Sequence, residues 1–104
     1  MARYDVYANP EACERAATPY LVDIQNDYID GLPTRVVIPL RASAIFPLRA
    51  RNLNPSLTVL GDAVVLDTAA MGAVPLAELR RPVANLGTAR PAIQEALDTL
   101  FGSF

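Results

Sequence analysis

The sequence has no histidine, no lysine, no tryptophan and a single cysteine among its 104 residues. Without histidine, the side chain best suited to proton transfer near neutral pH is missing, which removes most hydrolase schemes. The lone Cys13 cannot form an internal disulfide, as is typical of a reducing compartment, and we interpret it as a tolerated loop residue. We therefore expect neither a catalytic residue nor a cofactor.

Long apolar runs are also missing from the chain. Runs such as Val36–Leu40 and Ala63–Leu66 fall far short of the roughly 20 residues that a membrane-spanning helix needs. The first residues lack the apolar stretch of a secretory signal, so we predict a cytoplasmic protein with no membrane partner. A hydrophobic content of 52 % nevertheless suffices for one core, and residues 1–104 are expected to form one domain.

The charge balance is slightly acidic, because eleven carboxylates outnumber nine arginines and leave a net charge of −2. Nucleic-acid binders normally carry a basic excess, so we expect no direct contact with nucleic acid. Asp27 and Asp30 are too sparse for a cation loop, and a solvated turn is favoured over a metal site. Two arginine groups are expected to face solvent or a protein partner: Arg41, Arg49 and Arg51, and Arg80 with Arg81.

Alternating apolar residues predict a series of antiparallel strands. The predicted strands cover residues 3–8, 20–27, 35–40, 57–60 and 63–66, with a further extended piece at 71–76 and a long loop at 41–55 that holds one helical turn near 45–48. Gly61-Asp62 is predicted to be the tight turn of a hairpin, and Pro39 to mark a strand end, an edge or a bulge. In the first strand, Tyr7 is expected on the face opposite Val6.

The C-terminal residues change to a helical period, which predicts a helix over residues 89–101. Thr88 is its predicted N-cap, Pro91 lies in its first turn, and Gly102 is expected to end it in a left-handed conformation. Five apolar residues share the face expected to pack on the sheet: Ile93, Ala96, Leu97, Leu100 and Phe101. The whole pattern predicts a barrel-like or strongly bent antiparallel sheet with a C-terminal α-helix, in the all-β or α+β class.

Two sequence features indicate docking onto another protein. Apolar Phe101 and Phe104 lie at the chain end, where an aromatic side chain can anchor in a partner's pocket. Packing of Phe104 on its own sheet or on a second copy of the chain is an equal alternative. Tyr28 and Ile29 raise the same question in a predicted turn, and there packing in the protein's own core is favoured.

The order and spacing of these residues resemble the CcdB family, the toxin half of plasmid and chromosomal toxin-antitoxin modules. The matching residues are Val6-Tyr7, Leu21 to Gln25, Asp27, Ile29-Asp30, Val37 to Leu40, Gly61-Asp62, Thr68, Met71, Val74-Pro75, and Ile93, Ala96, Leu100 and Phe101. The resemblance implies a CcdB/MazF-like fold, an SH3-like barrel of five bent antiparallel strands with a C-terminal helix. It also implies a homodimer that serves plasmid maintenance.

The resemblance further implies two partners, the DNA gyrase A subunit and a CcdA-like antitoxin. By the same resemblance, the toxin is expected to inhibit or poison the topoisomerase without catalysing a reaction, and a flexible antitoxin tail that orders on binding is expected to neutralise it. The residues implied to face gyrase are Gln25, Asn26, Tyr28, Ile29, Glu95, Asp98, Gly102, Ser103 and Phe104.

The chain departs from the family pattern at its end. Members that poison gyrase end in Trp-Gly-Ile, whereas this chain has Gly102, Ser103 and Phe104, and two asparagines of the family's helix face are Glu95 and Asp98 here. An aromatic anchor often supplies much of the binding energy of an interface. Two alternatives to gyrase poisoning therefore stay open: an endoribonuclease toxin of the MazF or Kid type, and a degenerate non-toxic member that dimerises and binds antitoxin.

We predict that Phe104→Ala weakens binding to the gyrase A subunit by roughly tenfold or more, the loss typical of a truncated aromatic anchor. Binding of the antitoxin should stay largely intact, because the resemblance assigns the chain end to the target. Calorimetric titration of the wild type and the variant with each partner measures both effects. An equal loss for the two partners would contradict this division of surfaces.

Overall fold

Seven β-strands and one α-helix make up the regular structure of the described residues, 2–29, 31–47 and 49–102, in the computed structural model of the protein. The strands are β1 (Asp5–Ala8), β2 (Tyr20–Asp23), β3 (Thr34–Ala42), β4 (Ser56–Val59), β5 (Asp62–Leu66), β6 (Gly72–Pro75) and β7 (Ala84–Asn85), and the helix is α1 (Arg90–Phe101). The expected mostly β, α+β fold is confirmed. The sheet has two strands beyond the five that the resemblance implies: β6 coincides with the extended piece predicted at 71–76, and β7 is too short to give a periodic pattern.

The strands form one antiparallel sheet in the order β4-β5-β3-β2-β1-β7, with β6 also paired to β3. Strand β3 is shared between two neighbours along one edge: residues 34–37 pair with β6, and residues 40–42 pair with β5. On its other edge, residues 37–40 pair with β2. Because β3 changes partner along its length, the sheet bends into a nearly closed barrel.

Pro39 lies inside β3 and does not end it. It stands opposite Leu21 of β2, in the interval between the residues that pair with β6 and those that pair with β5. Proline cannot donate a backbone hydrogen bond, and this interval is where β3 has no strand neighbour along that edge. The carbonyl of Pro39 still accepts a hydrogen bond from the backbone N–H of Asp67, at 3.0 Å.

The main core fills the inside of the sheet. It joins buried residues of β1 to β5 with the helix residues Ile93 and Ala96, which are fully buried. The helix lies within one residue of its prediction, with Pro91 in the first turn and Gly102 left-handed at φ 71°. Phe101 was expected to face the sheet, but it is 66 % exposed. Among the described residues, no helix is long and apolar enough to cross a membrane.

The predicted N-cap of the helix is wrong. Thr88 lies in a short 3₁₀ turn, Gly87–Ala89, that runs directly into α1. Ala89 takes the N-cap position and has no side-chain hydrogen bond there. A 3₁₀ turn before a helix already orients part of the backbone, so a side-chain cap is less needed.

A second apolar cluster covers the outer face of the sheet. It consists of Tyr7, Leu21, Val37 and Leu79, with Val74 packed against it. Tyr7 was expected on a polar face, yet it is 2 % exposed. Apolar and polar residues alternate along a strand only when one face of the sheet is exposed to water. Here Leu79, from the segment after β6, covers both Tyr7 and Leu21 on the other face.

The hairpin between β4 and β5 turns at Leu60-Gly61, one residue earlier than the predicted Gly61-Asp62. Val59 pairs with Asp62, and both turn residues have positive φ, 51° for Leu60 and 84° for Gly61. Two positive φ values are the signature of the type I′ turn, which suits the twist of a hairpin. Asp62 instead accepts a hydrogen bond from the Tyr20 hydroxyl at 2.7 Å, which raises the pKa of Tyr20.

We predict that Leu60→Asn raises the free energy of unfolding by about 1 kcal/mol. Leucine is strained in the left-handed region, whereas Asn-Gly is the preferred type I′ pair, and Leu60 is 66 % exposed and loses little packing. Urea denaturation measures the change. Leu32→Asn is the matched control, since Leu32 is 49 % exposed but has no positive φ, and a gain of the same size there would contradict the strain argument.

Candidate target-binding site

A buried ion pair lies beneath the loop that follows β2. The Arg35 side chain donates from Nε to Oδ2 of Asp23 at 2.8 Å and from one terminal nitrogen to Oδ1 at 3.0 Å. The side chain of Asp23 is fully buried and that of Arg35 is 7 % exposed. This parallel, two-bond geometry is the strongest way in which a guanidinium pairs with a carboxylate. The pair therefore fixes the positions of both side chains.

The same guanidinium also holds the loop of residues 25–29, called here the target loop. It donates to the backbone carbonyl of Gln25 at 3.2 Å and approaches that of Ile29 at 3.5 Å. Within the loop, the Asn26 side chain accepts a hydrogen bond from the backbone N–H of Tyr28 at 2.9 Å. Bonds of this kind stabilise a local turn. The loop is thus held from below by Arg35 and from within by Asn26.

Gln25 extends the pairing of β2 with β3 beyond the end of β2. Its side-chain carbonyl accepts a hydrogen bond from the backbone N–H of Val36 at 3.0 Å, and its own backbone N–H donates to Asp23 at 2.9 Å. Among the described residues its side-chain nitrogen is buried without a hydrogen-bond partner. Gln25 therefore points inward and supports the loop from within the protein.

The N-terminal residues hold the loop from its other side. The backbone N–H of Arg3 donates to the Asp27 carboxylate at 2.5 Å, and its side chain donates to the Ile24 carbonyl at 3.1 Å. Asp27 was expected in a solvated turn, and it is exposed, but it also holds this contact. Asp30, its expected neighbour, lies outside the described residues.

Tyr28 and Ile29 face solvent, and the favoured expectation that they pack in the core is wrong. Tyr28 is 95 % exposed and Ile29 is 45 % exposed. Arg35 and Asn26 fix the loop backbone in a turn that directs these side chains outward. Exposed Leu32 and Leu76 lie beside Ile29 around a cavity of about 200 Å³. Together these residues present apolar groups on a loop held by hydrogen bonds from Arg35 and Asn26.

The helix residues of the predicted site lie apart along α1. Arg90, at the start of the helix, shares a cavity of about 330 Å³ with Asn26 and Tyr28. Glu95 is exposed one turn further along, and Asp98 is half-buried and accepts a hydrogen bond from the Gln94 side chain at 3.1 Å. The loop therefore meets the beginning of the helix. Gly102 ends the helix, and Ser103 and Phe104 lie outside the described residues.

Sequence reasoning missed the residues that organise the loop, Asp23, Arg35 and Arg3. The sequence did contain one indication of them, because Asp23 interrupts the apolar stretch from Tyr20 to Ile24. A charged side chain buried in a strand is stable only when it is paired. The partner, twelve positions later, follows from the register of β2 against β3. That register is a tertiary property.

Carboxylate and thiol side chains are not clustered in the described part of the chain. No group of three or more His, Cys, Asp or Glu side chains is placed to hold a metal ion there. Cys13 was expected in a loop; it is exposed and lies in a short 3₁₀ turn, Ala12–Glu14.

Comparison with protein families matches residues 3–102 to the model described as CcdB protein. The chain belongs to the CcdB family. The match covers nearly the whole chain, and it makes this CcdB-family member a toxin of a toxin-antitoxin module. The family is one of toxins that poison gyrase rather than of catalytic enzymes. A search of the curated proteins gives no match to the sequence.

We predict that Asp23→Asn lowers the free energy of unfolding by about 3–5 kcal/mol, because it leaves the Arg35 charge buried without its partner. Asp67→Asn is the matched control. It breaks the Arg41–Asp67 pair, in which the side chains are 32 % and 17 % exposed, and should cost no more than about 1 kcal/mol. Chemical denaturation compares the two variants. Similar losses of unfolding free energy in the two variants would show that burial does not determine how much the Asp23–Arg35 pair stabilises the fold.

Proposed function

We propose that this CcdB-family toxin binds the DNA gyrase A subunit and inhibits or poisons the topoisomerase without making or breaking covalent bonds. In this proposal it acts in the cytoplasm as a homodimer, and a CcdA-like antitoxin neutralises it. The gyrase-facing surface comprises the target loop residues Gln25, Asn26, Tyr28 and Ile29, the helix residues Glu95 and Asp98, and the chain end, Gly102, Ser103 and Phe104. Gln25 contributes by supporting the loop.

The observation that carries the proposal is the exposure of Tyr28 on a loop fixed by a buried ion pair. A protein that needed Tyr28 for its own stability would bury it, and this one leaves 95 % of the residue in solvent. Tyrosine is enriched at the centres of protein interfaces, where a rigid ring buries a large area with little loss of conformational freedom. Rigidity matters because an already ordered loop loses less entropy on binding.

The helix residues of the proposed surface are charged. Glu95 and Asp98 bring two negative charges, and among the described residues neither forms a salt bridge. Such charges favour a partner with arginine or lysine side chains and raise the rate of association at low salt. The proposal therefore includes a basic patch on the target that faces the helix.

We predict that wild-type protein inhibits DNA supercoiling by purified gyrase and that Tyr28→Ala raises the concentration needed for half-inhibition by roughly tenfold or more. Ile45→Ala is the matched control. Ile45 is 53 % exposed but follows the end of β3 that is remote from the target loop, and its truncation should leave inhibition unchanged.

The same assay distinguishes the other functions. If the wild-type protein leaves supercoiling unaffected at saturating concentration, the gyrase proposal is wrong. If it then binds antitoxin alone, a degenerate family member is favoured. Incubation with cellular RNA tests the endoribonuclease alternative, because discrete fragments would contradict a mechanism based on contact alone.

A further inference from the structure

A further cavity, of about 520 Å³, lies between the end of β1 and the segment that follows β6. Its size falls within the range of sites that hold small molecules. The lining includes Tyr7, Pro10, Glu78 and three of the nine arginines of the chain: Arg15, Arg80 and Arg81. This concentration of positive charge is notable in a protein whose net charge is −2.

Both walls of the cavity are held in place by buried contacts. On one side, the Asn9 side chain is buried and donates to the Thr18 carbonyl at 2.9 Å, and Arg15 donates from Nε to the Asn9 carbonyl at 2.6 Å. On the other side, Leu79 is 3 % exposed and anchors its segment in the outer apolar cluster. Arg80 and Arg81 follow directly after this anchor.

In the part of the chain that the structure describes, no ion pair occupies the guanidinium groups of these three exposed arginines, although the Nε of Arg15 donates to the Asn9 carbonyl. Among the described residues, the two ion pairs are Asp23–Arg35 and Arg41–Asp67, and neither involves an arginine of this cavity. The only carboxylate in the lining is Glu78, which forms no salt bridge with them there. Three positive charges against one negative charge leave the lining with a net charge of about +2 at neutral pH.

Tyr7 contributes an uncharged, buried side chain to the lining. Burial, followed by the nearby Asp5 and Asp23 carboxylates, raises the pKa of Tyr7. The hydroxyl is buried and has no hydrogen-bond partner among the described residues. The hydroxyl therefore stays neutral, and the charge of the lining comes from the three arginines and Glu78.

We propose that this cavity binds a phosphate group, either as inorganic phosphate or as a small phosphate monoester. Arginine forks match the oxygens of phosphate in a two-bond geometry. Phosphate monoesters carry about −1.5 to −2 charges at pH 7, which matches the net charge of the lining better than a single carboxylate does. The site is separate from the target loop and does not depend on gyrase binding.

The test is calorimetric titration of the full chain with inorganic phosphate and, separately, with glycerol 3-phosphate, at low salt. We expect saturable binding of at least one probe, and R80Q/R81Q should weaken it by about tenfold or more, because hydrogen bonds to charged groups are lost. R49Q/R51Q is the matched control. It removes two exposed arginines outside the cavity lining and should leave the affinity unchanged.

The two probes identify the source of the phosphate, since tighter binding of the ester indicates a small phosphorylated metabolite and tighter binding of the ion indicates free phosphate. Succinate, which is also a dianion at neutral pH, serves as the carboxylate probe. The proposal is overturned if neither phosphate probe binds the wild type, if both double variants lose affinity equally, or if succinate binds more tightly than either phosphate.

Discussion

The arrangement of the target loop depends on the buried pair between Asp23 and Arg35. Removing both charges from water is expensive, and the pair is stable because its geometry is bidentate and further hydrogen bonds satisfy the guanidinium. Two of those further contacts go to the loop backbone, at Gln25 and Ile29. The ion pair thereby links the end of β2, the start of β3 and the loop between them.

This linkage explains how a small protein can present an almost fully exposed tyrosine on an ordered turn. Tyr28 makes little contact with the core, so its own packing cannot hold the loop in place. The support comes from the hydrogen bonds of Arg35 to the loop backbone. Arg3 adds to it by donating to both the Asp27 carboxylate and the Ile24 carbonyl. Because Arg35 and Arg3 support the loop, the side chain of Tyr28 is not needed for that support and can contact a partner.

Apolar clusters on both faces of the sheet set the positions of the remaining elements. The inner cluster packs against Ile93 and Ala96 of α1, and the outer cluster brings Leu79 over Tyr7. Covering the outer face draws the segment after β6 back across β1. The arginine-lined cavity lies where that segment meets the residues after β1. The packing of Leu79 on the outer face thus accounts for both the outer cluster and the position of the arginine-lined cavity.

Local patterns in the sequence determined the helix, the main strands and the absence of a long apolar helix, because periodicity, proline in the first turn and a terminal glycine act over a few neighbouring residues. The tertiary structure decided what depends on register and burial: the partner of Asp23, the exposure of Tyr28 and Phe101, and the outer position of Tyr7. It also shifted the hairpin turn to Leu60, since the pairing of β4 with β5 overrode the local preference of leucine. Contacts between residues far apart in sequence cannot be inferred from spacing alone, because they arise when the sheet closes.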